Sequence, residues 1–123
     1  MKRILIIDDA ATVRMYHRTI LEDAGYNVSE AINGVEALEK ALQQPYDLYI
    51  VDINMPKLDG YGFLRQLRTE DMEQAPAIMV STEQAEHDQI AAFRAGANCY
   101  IAKPVRPEQL LTHVRLLLGE ATP

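Results

Sequence analysis

The sequence predicts a doubly wound α/β domain, with five parallel strands in the order 2-1-3-4-5 and a helix after each strand. Two observations carry this. Four short apolar runs, too short for helices and suited to strands buried on both faces, recur along the chain together with one alternating run. Between them the apolar spacing changes to the helical period, and glycine and proline fall singly at the junctions.

The first strand is the run at 4–7, which ends in Asp8 and Asp9. Val13, Tyr16, Ile20, Leu21 and Ala24 then share a helical face, and Gly25 suits the C-terminal end of that helix. Residues 26–31 alternate, which fits an edge strand. Asn33 is placed to cap a second helix with apolar positions at Val35, Leu38, Ala41 and Leu42. The third strand, 48–51, delivers Asp52, and Asp59 caps a helix carrying Phe63, Leu64 and Leu67. Strand 77–80 delivers Ser81, and the helix after it offers Ile90, Phe93 and Ala97, with Gly96 at its end. Strand 99–102 delivers Lys103, and Pro107 opens a last helix with Leu110, Leu111, Val114, Leu117 and Leu118. Right-handed crossovers cover both faces of such a sheet. With the alternating strand at an edge, the switch point falls between strands 1 and 3, outside whose carboxyl ends ligands bind.

Size and composition bound the rest. At 123 residues and 48% hydrophobic, the chain reads as one domain over 1–123, with no linker, repeat or output domain. A lone Cys99 allows no internal disulfide, and His17, His87 and His113 have no zinc-ligand spacing, so a reduced, cytoplasmic monomer is expected. The three histidines are expected at the surface and Cys99 in the core. A net charge of -6 opposes binding to DNA or anionic lipid, and no apolar run is long enough to span a membrane.

The chemistry converges at one edge. Asp8, Asp9, Asp52, Ser81 and Lys103 each stand at the carboxyl end of a strand, and in a parallel sheet those ends share one side. Singly, each has an ordinary explanation: a helix cap, a solvated strand end, a turn residue, a surface charge. Together they make a site. Three crowded carboxylates repel one another unless a cation neutralises them, and Mg²⁺ takes one or two carboxylates while leaving positions for phosphoryl oxygens. Asp52 is then the candidate nucleophile toward phosphorus, with Lys103 neutralising charge and the Ser81 hydroxyl donating a hydrogen bond.

Over its whole length the chain resembles the receiver domains of bacterial two-component response regulators, and among them the CheY-like, chemotaxis-type receivers. The residues that carry the resemblance are Ile6-Ile7-Asp8-Asp9, the run from Asp52 to Gly60, Val80-Ser81, Gly96-Ala97 and Lys103-Pro104. The resemblance implies that Asp52 is phosphorylated from a phosphohistidine on a sensor histidine kinase. It implies Mg²⁺ held by Asp9 and Asp52 directly, by Asp8 through a water and by the Asn54 carbonyl, with Ser81 and Lys103 contacting the phosphoryl group. Ser81 and Tyr100 become the switch that alters the face made by helix 4, strand 5 and helix 5. Thr82, Glu83 and Pro104 become supporting positions, and the Lys103-Pro104 bond is expected to be cis. The receiver would catalyse only its own phosphorylation and dephosphorylation. Three positions depart from the common pattern: Ala10 where serine is frequent, Thr82 where alanine or glycine is usual, and Val105 where phenylalanine is frequent.

The expected output is a downstream protein, such as a flagellar motor switch component. A phosphorelay intermediate or phosphate sink outside chemotaxis stays open. An Asp-nucleophile phosphatase of the haloacid dehalogenase type expects Asp-x-Asp after strand 1, which Asp8-Asp9-Ala10 does not supply. A flavodoxin expects hydroxyls and amides in that loop rather than two acids.

Overall fold

The computed structural model describes residues 1–82 and 86–120, with Glu86 described through its backbone alone. Strands β1 (Arg3–Ile7), β2 (Asn27–Ala31), β3 (Leu48–Asp52), β4 (Ala77–Ser81) and β5 (Cys99–Ala102) form one parallel sheet, ordered β2-β1-β3-β4-β5. Each is followed by a helix: α1 (Ala11–Asp23), α2 (Gly34–Gln43), α3 (Gly60–Thr69), α4 (Glu86–Ala95) and α5 (Pro107–Leu117). This is the architecture and strand order expected, with the alternating strand at the edge.

Because strand side chains alternate, the one sheet carries two cores. Leu5, Ile7, Tyr49, Val51 and Met79 pack toward Ala37, Phe63, Leu64, Leu67 and Ala92 of α2, α3 and α4. Ile4, Ile6, Leu48, Ile50, Ile78, Val80 and Ile101 pack toward Leu21 of α1 and Leu110 and Val114 of α5. Both faces are therefore sealed. The register aligns Val51 with Ile7, Val80 with Asp52 and Ala102 with Ser81, so the carboxyl ends of the four inner and edge strands finish nearly level.

The expected helix ends hold. The Asn33 side chain accepts from the Glu36 amide at 2.9 Å, that of Asp59 accepts from the Gly62 amide at 2.7 Å, and Pro107 opens α5. Gly96 ends α4 at φ 116°, a left-handed conformation that suits glycine, where a Cβ would also strike the Arg68 side chain.

Three helices bury only part of the face that the apolar spacing suggests, Leu21 and Ala41 among it. In α1 the buried residues are His17 and Leu21, while Tyr16 is 45% exposed and leans its hydroxyl onto the Val105 carbonyl at 3.1 Å. The β5–α5 connection thus covers His17, which was expected at the surface. In α2, Ala37 and Ala41 go inward and Val35 and Leu42 stay out, because the Gly34 amide bonds the Leu58 carbonyl at 3.0 Å and seats the first turn against the β3–α3 loop. In α4, Ala92 and Ala95 are buried, while Ile90 and Phe93 are 43% and 50% exposed. In α2 and α4 the small inward residues let the helix lie close to its neighbours. Cys99 is half-buried rather than fully enclosed, His87 is exposed, and His113 is half-buried with Nδ1 2.8 Å from the Gln109 carbonyl oxygen.

Candidate phosphoacceptor site

The carboxyl edge of the sheet brings together the residues that the sequence singles out. Asp8 follows β1 and is 3% exposed, Asp52 ends β3 at 7%, and Ser81 ends β4 fully buried. Asp9 beside them is exposed. One carboxylate oxygen from each of Asp8, Asp9 and Asp52 lies within 4.8 Å of the others. The Lys103 ammonium donates to Asp8 Oδ2 at 2.9 Å and to Asp52 Oδ1 at 3.0 Å, bridging two acids on different strands.

Local geometry holds each group in place. Asp8 Oδ1 accepts from the Ala10 amide at 2.9 Å, and Arg14 donates to the Asp8 carbonyl at 2.7 Å while its Nε pairs with Glu30 at 2.8 Å. Neither aspartate caps α1, whose N-cap is Ala10 with no side-chain bond. The Lys103 amide donates to the Ser81 carbonyl at 2.8 Å, tying β5 to β4 at the site, and the Lys103–Pro104 peptide is cis as expected. Gly60 donates to the Ile53 carbonyl at 2.9 Å, and a Cβ there would collide with the Asp52 carbonyl. Only glycine lets α3 begin so close to the end of β3. The loop between them also holds Lys57 at φ 68°, a conformation uncommon outside glycine, asparagine and aspartate.

The electrostatics are uneven. Burial, then the charge of Asp8, pushes the Asp52 carboxyl above the ordinary range, against the opposing pull of Lys103. Burial also works against the Lys103 charge, but its hydrogen bonds to Asp8 and Asp52 outweigh that and leave the ammonium held more firmly than usual. Lys103 thus bonds two of the three carboxylates, Asp8 and Asp52. Three carboxylates against one ammonium leave two negative charges unneutralised, and crowded hard oxygen donors of that charge fit a divalent cation such as Mg²⁺.

The remaining expectations divide. Asn54 is exposed two residues past Asp52, Thr82 and Pro104 are exposed beside the site, and Tyr100 is half-buried on β5 against the α2–α4 core. Glu83 lies outside the described residues. Sequence reasoning missed His17, which is 2% exposed and feels the charges of both Asp8 and Lys103. Its helical position alone could not have shown this.

The family model for the response regulator receiver domain matches residues 4–115. This chain belongs to that family. Among curated proteins, the receiver is 38% identical over 98% of its length to the transcriptional regulatory protein ResD of Bacillus subtilis (strain 168), covering 49% of that protein. It is 37% identical over 98% of its length to the response regulator MprA of Mycobacterium leprae (strain TN), covering 53% of it. The chain thus spans about half the length of these relatives. Among solved structures, the chemotaxis protein CheY4 of Vibrio cholerae superposes with a TM-score of 0.90 at 33% identity, covering 95% of this chain and 98% of that one. The receiver domain of sensor histidine kinase PA1611 from Pseudomonas aeruginosa PAO1, solved with a magnesium ion in its active-site cleft, superposes with a TM-score of 0.90 at 28% identity, covering 97% and 98%. The fold and the family place this receiver in two-component signalling, where a sensor kinase is the implied phosphodonor. Among the described residues no helix is long and apolar enough to cross a membrane.

Proposed function

We propose that this receiver accepts a phosphoryl group on Asp52 from a sensor-kinase phosphohistidine and signals through a protein-binding face. The observation that carries the reading is Lys103 bridging Asp8 and Asp52 at 2.9 and 3.0 Å inside a cluster of three carboxylates. In the transfer, the N–P bond of the donor breaks, an Asp52 oxygen bonds to phosphorus, and the imidazole leaves with its electron pair. Asp8, Asp9, Asp52 and the Asn54 carbonyl would hold Mg²⁺, which supplies neutralising charge for the phosphoryl oxygens when bound. Lys103, bonded to Asp52 Oδ1 at 3.0 Å, would meet one of those oxygens, and Ser81 at the end of β4 would be the hydroxyl donor.

Output follows from what differs between the two charge states. Ser81 moving toward the phosphoryl group would shift the connection after β4, letting Tyr100 turn inward and reshaping the face of α4, β5 and α5. The half-exposed Ile90 and Phe93 on α4 support a partner surface there. A motor-switch protein is the partner suggested by the likeness to chemotaxis receivers. A second reading, the receiver half of a DNA-binding regulator, is favoured by relatives that are transcriptional regulators about twice as long. The deciding test is incubation with acetyl phosphate and Mg²⁺, followed by intact mass. The protein should gain one phosphoryl group and its Asp52→Asn variant none; equal labelling of the variant would refute Asp52 as acceptor.

A further inference from the structure

A groove between α3 and α4 stands apart from the carboxylate cluster. It has a volume of about 450 Å³ and is lined by His87, Ile90, Ala91, Arg94 and Ala95 of α4 and by Arg65 of α3. None of Asp8, Asp9, Asp52, Ser81 and Lys103 lines it. The α4 residues recur at spacings of three and four, so they form one stripe about 12 Å long. The middle of that stripe is apolar: Ala95 is buried, Ala91 half-buried and Ile90 43% exposed. Of the two exposed apolar residues of α4, Ile90 lines the groove and Phe93 does not. Its walls are pinned at both ends. The Tyr61 hydroxyl donates to the Asp88 carbonyl at 3.3 Å, and Arg68 donates to the Gly96 carbonyl at 2.8 and 3.1 Å, with Arg65 between them on α3. A groove held ready in this way loses little freedom when it is filled.

Charge defines what it takes. The chain carries a net charge of -6, yet the ionised side chains of this groove are two arginines. Arg3, Arg14, Arg18, Arg68 and Arg106 each bond a side chain or a carbonyl. Arg65 and Arg94 differ: among the described residues neither has an ion pair or a side-chain hydrogen bond. The sequence explains this, because no aspartate or glutamate stands three or four positions from either arginine. His87 has Asp88 at 3.4 Å, and that acid does not line the groove. Arg94, in the last turn of α4, gains support from the helix dipole, but Arg65, in the middle of α3, gains none. Two unpaired guanidiniums beside an apolar strip match a ligand that sets carboxylates beside aliphatic groups. Protein interfaces have this anatomy, an apolar centre within a polar rim, with arginine over-represented. A polyanion without apolar groups would use the arginines and leave the strip bare.

We propose that the α3–α4 groove docks an acidic amphipathic segment of a partner protein, with its aliphatic side chains over Ile90, Ala91 and Ala95 and its carboxylates on Arg65 and Arg94. Docking of this kind needs no phosphoryl group on Asp52.

Fluorescence anisotropy with the unphosphorylated full chain tests it. The probe is a labelled helical peptide of about fifteen residues, with leucine at every third or fourth position and glutamate elsewhere. Saturable binding is expected, with a Kd on the order of 10–100 μM that weakens as salt rises. The same peptide with lysine for glutamate, and one with serine for leucine, should each bind at least ~10-fold more weakly. Arg65→Ala and Arg94→Ala together should weaken the glutamate peptide about 5-fold or more, and Arg65→Glu with Arg94→Glu should reverse the preference toward the lysine peptide. Both arginines are exposed and unpaired, so these variants should keep the fold, which circular dichroism checks. Absence of saturation with the glutamate peptide, equal binding of either control, or unchanged affinity in the double alanine variant would overturn the proposal. Dimerisation of the chain without peptide, abolished by the same two alanines, would make a second copy the occupant and overturn it too.

Discussion

The two ends of the sheet handle charge in opposite ways. At the amino end several polar groups have a dedicated partner: the Arg3 amide donates to Asp47 at 2.7 Å and Tyr26 donates to Glu120 at 2.6 Å. Arg68 spreads its guanidinium over the Gly96 carbonyl at 2.8 and 3.1 Å and the Ala75 carbonyl at 2.7 Å. Burial and the bond to Glu120 push the Tyr26 hydroxyl up to about 12. At the carboxyl end Asp8 and Asp52 share one lysine, with a third acid, Asp9, beside them. The first end is built for stability, and the second keeps an unneutralised charge that only a ligand completes.

The largest expected break in this contrast is Lys103→Ala. Phosphorylation from acetyl phosphate should slow by about 10²-fold or more, as when one charge-stabilising donor is removed, while the protein also loses on the order of 2 kcal/mol because two buried acids lose their common partner. Stopped-flow rates and urea melts read the two effects separately; a normal rate would mean that Lys103 is merely structural. Arg68→Ala attacks the opposite end. It should cost about 2 kcal/mol by stranding the Gly96 and Ala75 carbonyls, yet leave the phosphorylation rate of the folded fraction unchanged. A slowed rate in that variant would show that the ends are coupled.

The smallest effect sharpens the contrast most. The folded protein holds the Asp52 proton more tightly than the unfolded chain does, so charging Asp52 costs stability as pH rises through the ordinary carboxylate range toward its raised value. In EDTA, Asp52→Asn should therefore melt a few degrees higher than the parent protein near pH 7, with the advantage shrinking as pH falls into that carboxylate range. A lower melting temperature for the variant at pH 7 would mean that the bond to Lys103 outweighs the burial cost. No comparable gain is expected from Asp47→Asn at the amino end, where the Arg3 amide is its partner.

Much of this was legible in the sequence, for physical reasons that also mark where legibility stopped. Apolar runs buried on both faces locate strands well, and residues at their carboxyl ends must meet in a parallel sheet, so Asp8, Asp52, Ser81 and Lys103 converge without any knowledge of loops. Helix rotation is decided instead by distant partners. His17 is buried because the connection around Val105 passes over α1, and nothing within α1 encodes that passage. The same holds for α4, where two alanines face inward and the larger Ile90 and Phe93 do not.

The missing side chain at Gly60 has a mechanical consequence. With no room for even one carbon between the start of α3 and the Asp52 carbonyl, and with the Gly60 amide bonded to Ile53, the acceptor strand and that helix form one solid block. A phosphoryl group added to Asp52, as proposed above, would meet an anvil, something that does not give. On that reading the recoil would be taken up across the cleft, by the ends of β4 and β5, where a message could be passed on.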